Sequence, residues 1–591
     1  MMMHKLLPAA LACLFAVPAA QAAENMVTLA EKSQFTKTGR YTEVDTLCKN
    51  FQKNYPKWVR CQEIGRSPEG RPILVLIATK TGALTPLTAK EKQIPVTLLQ
   101  GGIHAGEIDG KDAGFLVLRE LLENPSSDVL DKQVVMFVPV FNVDGHERFG
   151  KWNRPNQRGP EEMGWRTSAQ NANLNRDYAK ADTPEMQAML RMVNQWDPLV
   201  TVDLHVTDGA KFEHDVSVQV EPKHAGDEKL RTAGQLLQQA VLQDLSKAGS
   251  LPQPFYMSFN QEDDPMSGFT DEVPGARFSN GYFMLRNRFG ILVETHSWKD
   301  YATRVRTTRN TLHSVLNQVA QQGAQWKKLA EEADQQAMRM AGKDIPVSYR
   351  STDAYKTIEF RGYAYTRTQS DISGALMTRY DESKPQIWRV KLRDQNVPDK
   401  LARLPEGGYV VPAAWAKMVV EKLRVHGIQF QALTSGWKDV SVERFQTEKA
   451  SFRPASYEGR QPLEVKGQWV ADQKLQFARG SIFIPSAQPK SALVATLFDP
   501  ASADSLLSWG LFNQAFERKE YMEAYVAEEV AREQLAADPE LRKQFEQKLR
   551  SDPAFAKDPA ARLEFFARRH SSWDTAYQQY PVYKTAQIPK S

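Results

Sequence analysis

Five apolar runs, each the length of a strand, recur through the first half of the chain. They are "PILVLIAT" (72–79), "IPVTLLQ" (94–100), "QVVMFVPVF" (133–141), "LVTVDLHV" (199–206) and "FGILVET" (289–295). Patterns of helical period, such as "KDAGFLVLRELLEN" and "PEMQAMLRMVNQW", lie between them. Runs apolar on both faces are strands covered on both sides, and amphipathic helices in between supply the cover. The pattern predicts an α/β fold with a mixed, mostly parallel sheet covered by helices. In such a sheet the ligand site lies outside the carboxyl ends of the strands.

Three of those ends carry polar residues. "LQGGIHAGE" brings His104 and Glu107 off one strand, "TVDLHV" puts His205 near the end of another, and "ILVETHS" puts Glu294 near the end of a third. The His104–Glu107 pair alone says little, because a histidine meets a glutamate three places on by chance about once in fifteen tries. There are ten histidines, and His224 with Asp227 makes a similar pair. Taken singly, any of the four reads as a hydrogen-bonded core or rim residue, and for an isolated histidine on a strand that is the more common case. Together they read as a site, since two histidines and a carboxylate bind zinc and leave the fourth position open. A glutamate ending "GILVE" also carries a desolvation cost unless it is paired or used.

In order along the chain, "HAGE", "FNVDG" (141–145), "NANLNRDY" (171–178), "DLH" (203–205) and "VETH" (293–296) resemble the motifs of the zinc metallocarboxypeptidases, the carboxypeptidase A-like family. Upstream, "NYPKWVRCQEIGRSPEGRPILVLIA" is similar to that family's opening helix, strand, turn and strand. The likeness covers roughly residues 35–320. It implies one zinc ion per chain held by His104, Glu107 and His205, with Glu294 as general base and acid. It implies Asn175 and Arg176 as the residues that hold the substrate's terminal carboxylate, a role suited to the planar donor fork of a guanidinium. Arg154 would polarise the scissile carbonyl, with Arg158 an acceptable substitute. Tyr282, the one tyrosine in "DEVPGARFSNGYF", would be the family's substrate-binding tyrosine, although closer to Glu294 than usual.

Beyond about residue 345 the segments alternate apolar and polar, as in "YKTIEFRGYAYTR", and from about 505 to 570 they turn helical and charged, with Asp-Pro pairs as punctuation. The expected organisation of the 591 residues is a signal peptide (1–22), a zinc carboxypeptidase-like domain (23–335), a β-rich region (336–500) and a helical C-terminal region (501–591). The leader has Lys5, an apolar run and the Ala20-Gln21-Ala22 cleavage pattern, which predicts a periplasmic or secreted protein. Export allows Cys48 and Cys61 to pair, tying a helix to the following strand. No later stretch is apolar enough to span a membrane, and a net charge of +5 without a basic block gives no footprint for nucleic acid. The predicted function is a zinc-dependent exopeptidase that hydrolyses C-terminal residues from peptides or proteins. On the same scaffold, a peptidoglycan stem-peptide hydrolase or an N-acyl amino acid deacylase stays open. From another class, a catalytically inactive binding module does too.

Overall fold

A computed structural model of the protein describes residues 25–207, 209–471 and 474–590. The leader expected over 1–22 lies outside them. Eight strands form the main sheet: β1 (Val59–Arg66), β2 (Pro72–Ala78), β3 (Val96–Gly101), β4 (Val134–Val138), β5 (Val200–Thr207), β6 (Val216–Glu221), β7 (Pro252–Gln253) and, after the short β8 (Phe269–Thr270) of another sheet, β9 (Phe289–His296). Their order is β1-β2-β4-β3-β5-β9-β6-β7. The central β4-β3-β5-β9 ladder is parallel, while β1, β2 and β6 join antiparallel. The sheet is therefore mixed, with the parallel strands in the middle. Every residue of β3, β4 and β5 is buried. Helices account for that cover, among them α1 (Tyr41–Asn54), α2 (Asp109–Glu123), α3 (Pro184–Trp196), α4 (Glu228–Lys247), α5 (Ser279–Met284) and α6 (Tyr301–Ala337).

Strand β6, "VSVQVE", is missing from the five apolar runs because Ser217 and Gln219 interrupt it, although most of it is buried. Cys48 of α1 and Cys61 of β1 form a disulfide, with their Cα atoms 5.4 Å apart. It joins α1 to the edge strand β1, four strands away from β5 and five from β9 in the sheet order.

The polypeptide from β10 (Asp344–Ser351) onward packs onto this body. A long hairpin, β11 (Lys356–Gln369) with β12 (Leu376–Arg393), takes β8 as a parallel third strand. Phe360 and Trp388 of the hairpin share one buried cluster with Phe212, Phe255 and Phe269. A six-stranded sheet follows, and it includes Glu443–Phe452 paired with Leu463–Ala471. Helix α7 (Ala413–His426) ends at Gly427, whose φ of +62° suits a glycine stop. It lies against α3, where Asn194 Nδ2 donates to the Val425 carbonyl at 2.7 Å. In the last region the Asp-Pro pairs are helix starts. Asp538, Asp552 and Asp558 each accept a backbone N–H at an N-cap, with proline at the next position. Among the described residues, no helix is long and apolar enough to cross a membrane.

Candidate active site

The chain leaves β3 through Gly102, at φ +61°, where an added Cβ would lie 3.3 Å from the Val140 Cα. That turn carries His104 to Glu107 over the sheet edge before α2 begins at Asp109. Gly106 has no room for a side chain: a Cβ there would meet Arg154 Cγ at 2.6 Å and the Gly164 carbonyl at 2.7 Å. The stem of Arg154 lies in that space. On the neighbouring strands, His205 of β5 is the register partner of Glu294 of β9, so the two side chains rise from the same face.

His104, Glu107 and His205 are all buried, and one donor atom from each lies within 4.8 Å of the others. His104 Nδ1 and His205 Nδ1 each stand 3.0 Å from a Glu107 oxygen. His104 Nδ1 makes no hydrogen bond, although it is buried. His205 Nε2 faces Asp203 Oδ2 at 3.0 Å, and Asp203 is in turn held by Gln100 and Ser279 at 2.8 and 2.7 Å. His104 Nε2 faces Asn173 Oδ1 at 3.0 Å. Each imidazole thus turns one nitrogen to the cluster and the other to a group that fixes its ring, the usual support of a metal-binding histidine.

The charges agree with that reading. Burial opposes ionisation of Glu107, but His104, Arg154 and His205 outweigh it and hold the carboxyl well below its usual range. Burial pushes His104 down, whereas in His205 the Asp203 carboxylate overcomes burial and lifts the imidazole well above its usual value. A buried, ionised carboxylate flanked by two imidazole nitrogens is a donor set that fits zinc.

A cavity of about 540 Å³ opens beside the cluster, lined by Glu294, Asn175 and Arg176 among others. Asn175 is 8% exposed, and its Oδ1 is buried without a hydrogen-bond partner. The Arg176 guanidinium lies 4.6 Å from the centre of the Phe278 ring, on the opposite wall.

Two of the expected site residues, Arg154 and Tyr282, do not line the cavity. Arg154 is buried behind the cavity wall, with Nη1 3.1 Å from Glu107 Oε1 and Nη2 donating to the Val206 carbonyl at 3.3 Å. Its alternative, Arg158, is turned outward to Glu382 of the β11–β12 hairpin, at 2.6 and 2.9 Å. Arg166 instead lines the cavity and reaches Glu107 Oε1 at 3.2 Å. Tyr282, expected at the substrate, is fully buried in α5. Its hydroxyl meets His426 Nδ1 of α7 at 2.9 Å, because helix α7 covers this face. The tyrosine that lines the cavity is Tyr256. Neither Arg166 nor Tyr256 stands in a motif that marks it in the sequence, whereas Gln219, another lining residue, sits in the overlooked β6.

Residues 44–250 match the zinc carboxypeptidase family profile. The match contains His104, Glu107, Arg154, Asn175, Arg176 and His205, and it ends before Glu294. Carboxypeptidase B of Astacus astacus is 26% identical over 108 residues, 18% of this chain and 33% of that relative, so the chain spans about a third of the relative's length. Among solved structures, the Helicoverpa armigera carboxypeptidase A is 15% identical, covering 54% of this chain and 81% of that one, with a TM-score of 0.36. A metallo-carboxypeptidase from Burkholderia cenocepacia is also 15% identical, over 47% and 69%, with a TM-score of 0.34. Residues 44–250 are therefore the stretch of this chain that is similar to the zinc carboxypeptidase family.

Proposed function

We propose that the protein is a zinc-dependent carboxypeptidase that removes C-terminal residues from peptides or proteins outside the cytoplasm. The observation that carries this reading is the buried His104–Glu107–His205 cluster opening on a cavity that Glu294, Asn175 and Arg176 line. The three clustered residues would hold one zinc ion per chain. Zinc bound there supplies Lewis acidity, which activates water near neutral pH and draws charge from a carbonyl.

The chain's own groups do the rest. A Glu294 carboxylate oxygen takes a proton from the attacking water and returns it to the leaving amine nitrogen. Arg176 and Asn175 orient the substrate by its terminal carboxylate. Arg154 holds Glu107 in place from behind, and Arg166 offers its donors on the cavity side, where negative charge develops on the carbonyl oxygen. The A-x-A leader pattern and the Cys48–Cys61 disulfide support an exported protein.

The test compares one peptide with a free and with an amidated C-terminus. Amidation leaves the guanidinium without its partner, so the free peptide should be cleaved roughly 30- to 1000-fold better, an effect of about 2 to 4 kcal/mol. Arg176→Ala should erase most of that preference without changing zinc content. Equal or faster cleavage of the amidated peptide would sink the exopeptidase reading and leave an endopeptidase or an amidase.

A further inference from the structure

Two loops wall the cavity, residues 171–182 and 272–280, and both are gripped by the same part of the C-terminal extension. On the first wall, Asp182 accepts from Arg460 Nε and Nη2 at 2.9 and 2.7 Å. Glu458 accepts the Asn173 backbone N–H at 3.4 Å. Asn173 in turn receives the Asn175 N–H at 3.1 Å and faces His104. On the second wall, Asp504 accepts from the Arg277 Nε at 2.8 Å and from its backbone N–H at 3.2 Å. The Arg277 guanidinium lies 4.8 Å over Trp509, and Tyr457 stacks on the same indole at 5.9 Å and 15°.

Tyr457 and Arg460 are the two ends of one tight turn, paired by backbone hydrogen bonds of 2.8 and 3.1 Å. Glu458 and Gly459 form its tip at φ +50° and +75°. A single four-residue turn therefore touches both walls, one through Arg460 and the other through the Tyr457–Trp509–Arg277 stack. The second loop approaches so closely that a Cβ on Gly275 would lie 2.8 Å from Asp504 Oδ2. The Asp504 carboxylate is 5% exposed, and the Arg460–Asp182 pair is a bidentate fork, a geometry that fixes direction as well as distance.

We infer that the extension is a working part of the cavity: turn 457–460 and Asp504 are positioning groups that set the distance between the two walls. The walls meet where Arg176 lies over Phe278. A change in their spacing moves the group that would hold a terminal carboxylate relative to Glu294, which stays on its strand. The kinetic consequence rests on the proposed carboxypeptidase function; the mechanical one does not. Loosening the clamp should weaken substrate binding and leave the chemical step nearly intact.

The experiment uses the full-length zinc-loaded protein with Asp504→Asn and Arg460→Met. Backbone hydrogen exchange is followed in both loops, and kcat and KM are measured on a peptide with a free C-terminus. Asp504→Asn should speed exchange in 272–280, and Arg460→Met in 171–182. Each should raise KM roughly tenfold, the loss expected for one charge-assisted hydrogen bond, with kcat held within about twofold and zinc content unchanged. Arg460→Lys, which keeps the charge and loses the fork, should fall between wild type and Arg460→Met, and it serves if the methionine variant fails to fold. Unchanged exchange in both loops would overturn the inference. So would faster exchange spread evenly over the chain with kcat falling as far as KM rises, since that is the signature of general destabilisation. If the protein hydrolyses no peptide, the exchange data still decide the clamp while the carboxypeptidase reading falls.

Discussion

His205 and Glu294 are neighbours because β5 and β9 run side by side, and their positions are set by a parallel ladder whose register is unbroken from Val200–Phe289 to Thr207–His296. Arg176 and Phe278 are also neighbours, at 4.6 Å, yet each sits on a loop whose outer side is tied to the extension. The edge and the walls therefore fail differently. Damage to the edge removes a donor or a proton carrier from a fixed frame. Damage to the walls leaves all donors present and moves them.

The largest effect should come from His205→Ala. It removes one of three donors and strips Asp203 of the imidazole that opposes its burial. Metal content and hydrolysis should both be lost, with some loss of stability, as measured by zinc analysis and by thermal melting. Full zinc retention would take His205 out of the donor set. Next is Glu294→Gln, which keeps the shape of the side chain and removes its proton acceptor. Here kcat should fall by roughly a hundredfold or more with zinc retained. Loss of zinc instead would make Glu294 a ligand and put the assignment of Glu107 in question.

A cut at the opposite edge of the sheet sharpens the comparison. The Cys48–Cys61 bridge closes a short loop, 13 residues in separation, far from the cavity. Cys48→Ser with Cys61→Ser should lower stability by about 3 kcal/mol, the usual value for a loop of that size. It should leave kcat and KM unchanged, because neither the ladder at β5–β9 nor the extension's turn touches it. A shifted KM would show that the walls depend on the whole sheet rather than on the extension.

The same division explains what the sequence made legible. His104, Glu107, His205 and Glu294 could be brought together in advance because each stands at the end of an apolar run, and strand ends converge. Asn175 and Arg176 were found through a short motif, and the structure puts them on the cavity. Arg154 and Arg158 share one loop, "WNRPNQRG", and nothing local says which turns inward; Glu382, far along the chain, takes Arg158. Tyr282 is expected at the substrate only through the resemblance, as the one tyrosine of its segment, and it is buried by His426 of a helix whose packing partner no local pattern reveals. Strand β8, two residues long, joins the extension's hairpin rather than the main sheet. Where a residue's place depends on sequence-distant packing, periodicity and motif carry no information about it.

The smallest predicted effect concerns the base of the first wall. Glu185 opens helix α3, directly after loop 171–182, and both of its carboxyl oxygens are buried without a hydrogen-bond partner. Burial, with the Asp144 and Asp177 carboxylates nearby, raises its pKa from 4.5 to about 7. Below about 4.5 the group is protonated in both the folded and the unfolded chain, and its contribution to stability is complete. Between about 4.5 and 7 the unfolded chain releases the proton while the folded one keeps it, so stability declines as pH rises. Above about 7 the loss is complete. Asp182, at the other end of the turn into α3, has the opposite sign: burial works against its charge, but Arg460 and Lys422 hold its carboxyl below the usual range, so its support is lost as pH falls. Glu185→Gln should therefore melt about 2 to 4 °C above the wild type at pH 8 and close to it at pH 4, as read by calorimetry at both values. Equal differences at the two pH values would mean that packing, not ionisation, sets the effect of this residue. A shift of KM in the same variant at pH 8 would add that the wall's footing, as well as the extension's turn, governs the width of the cavity.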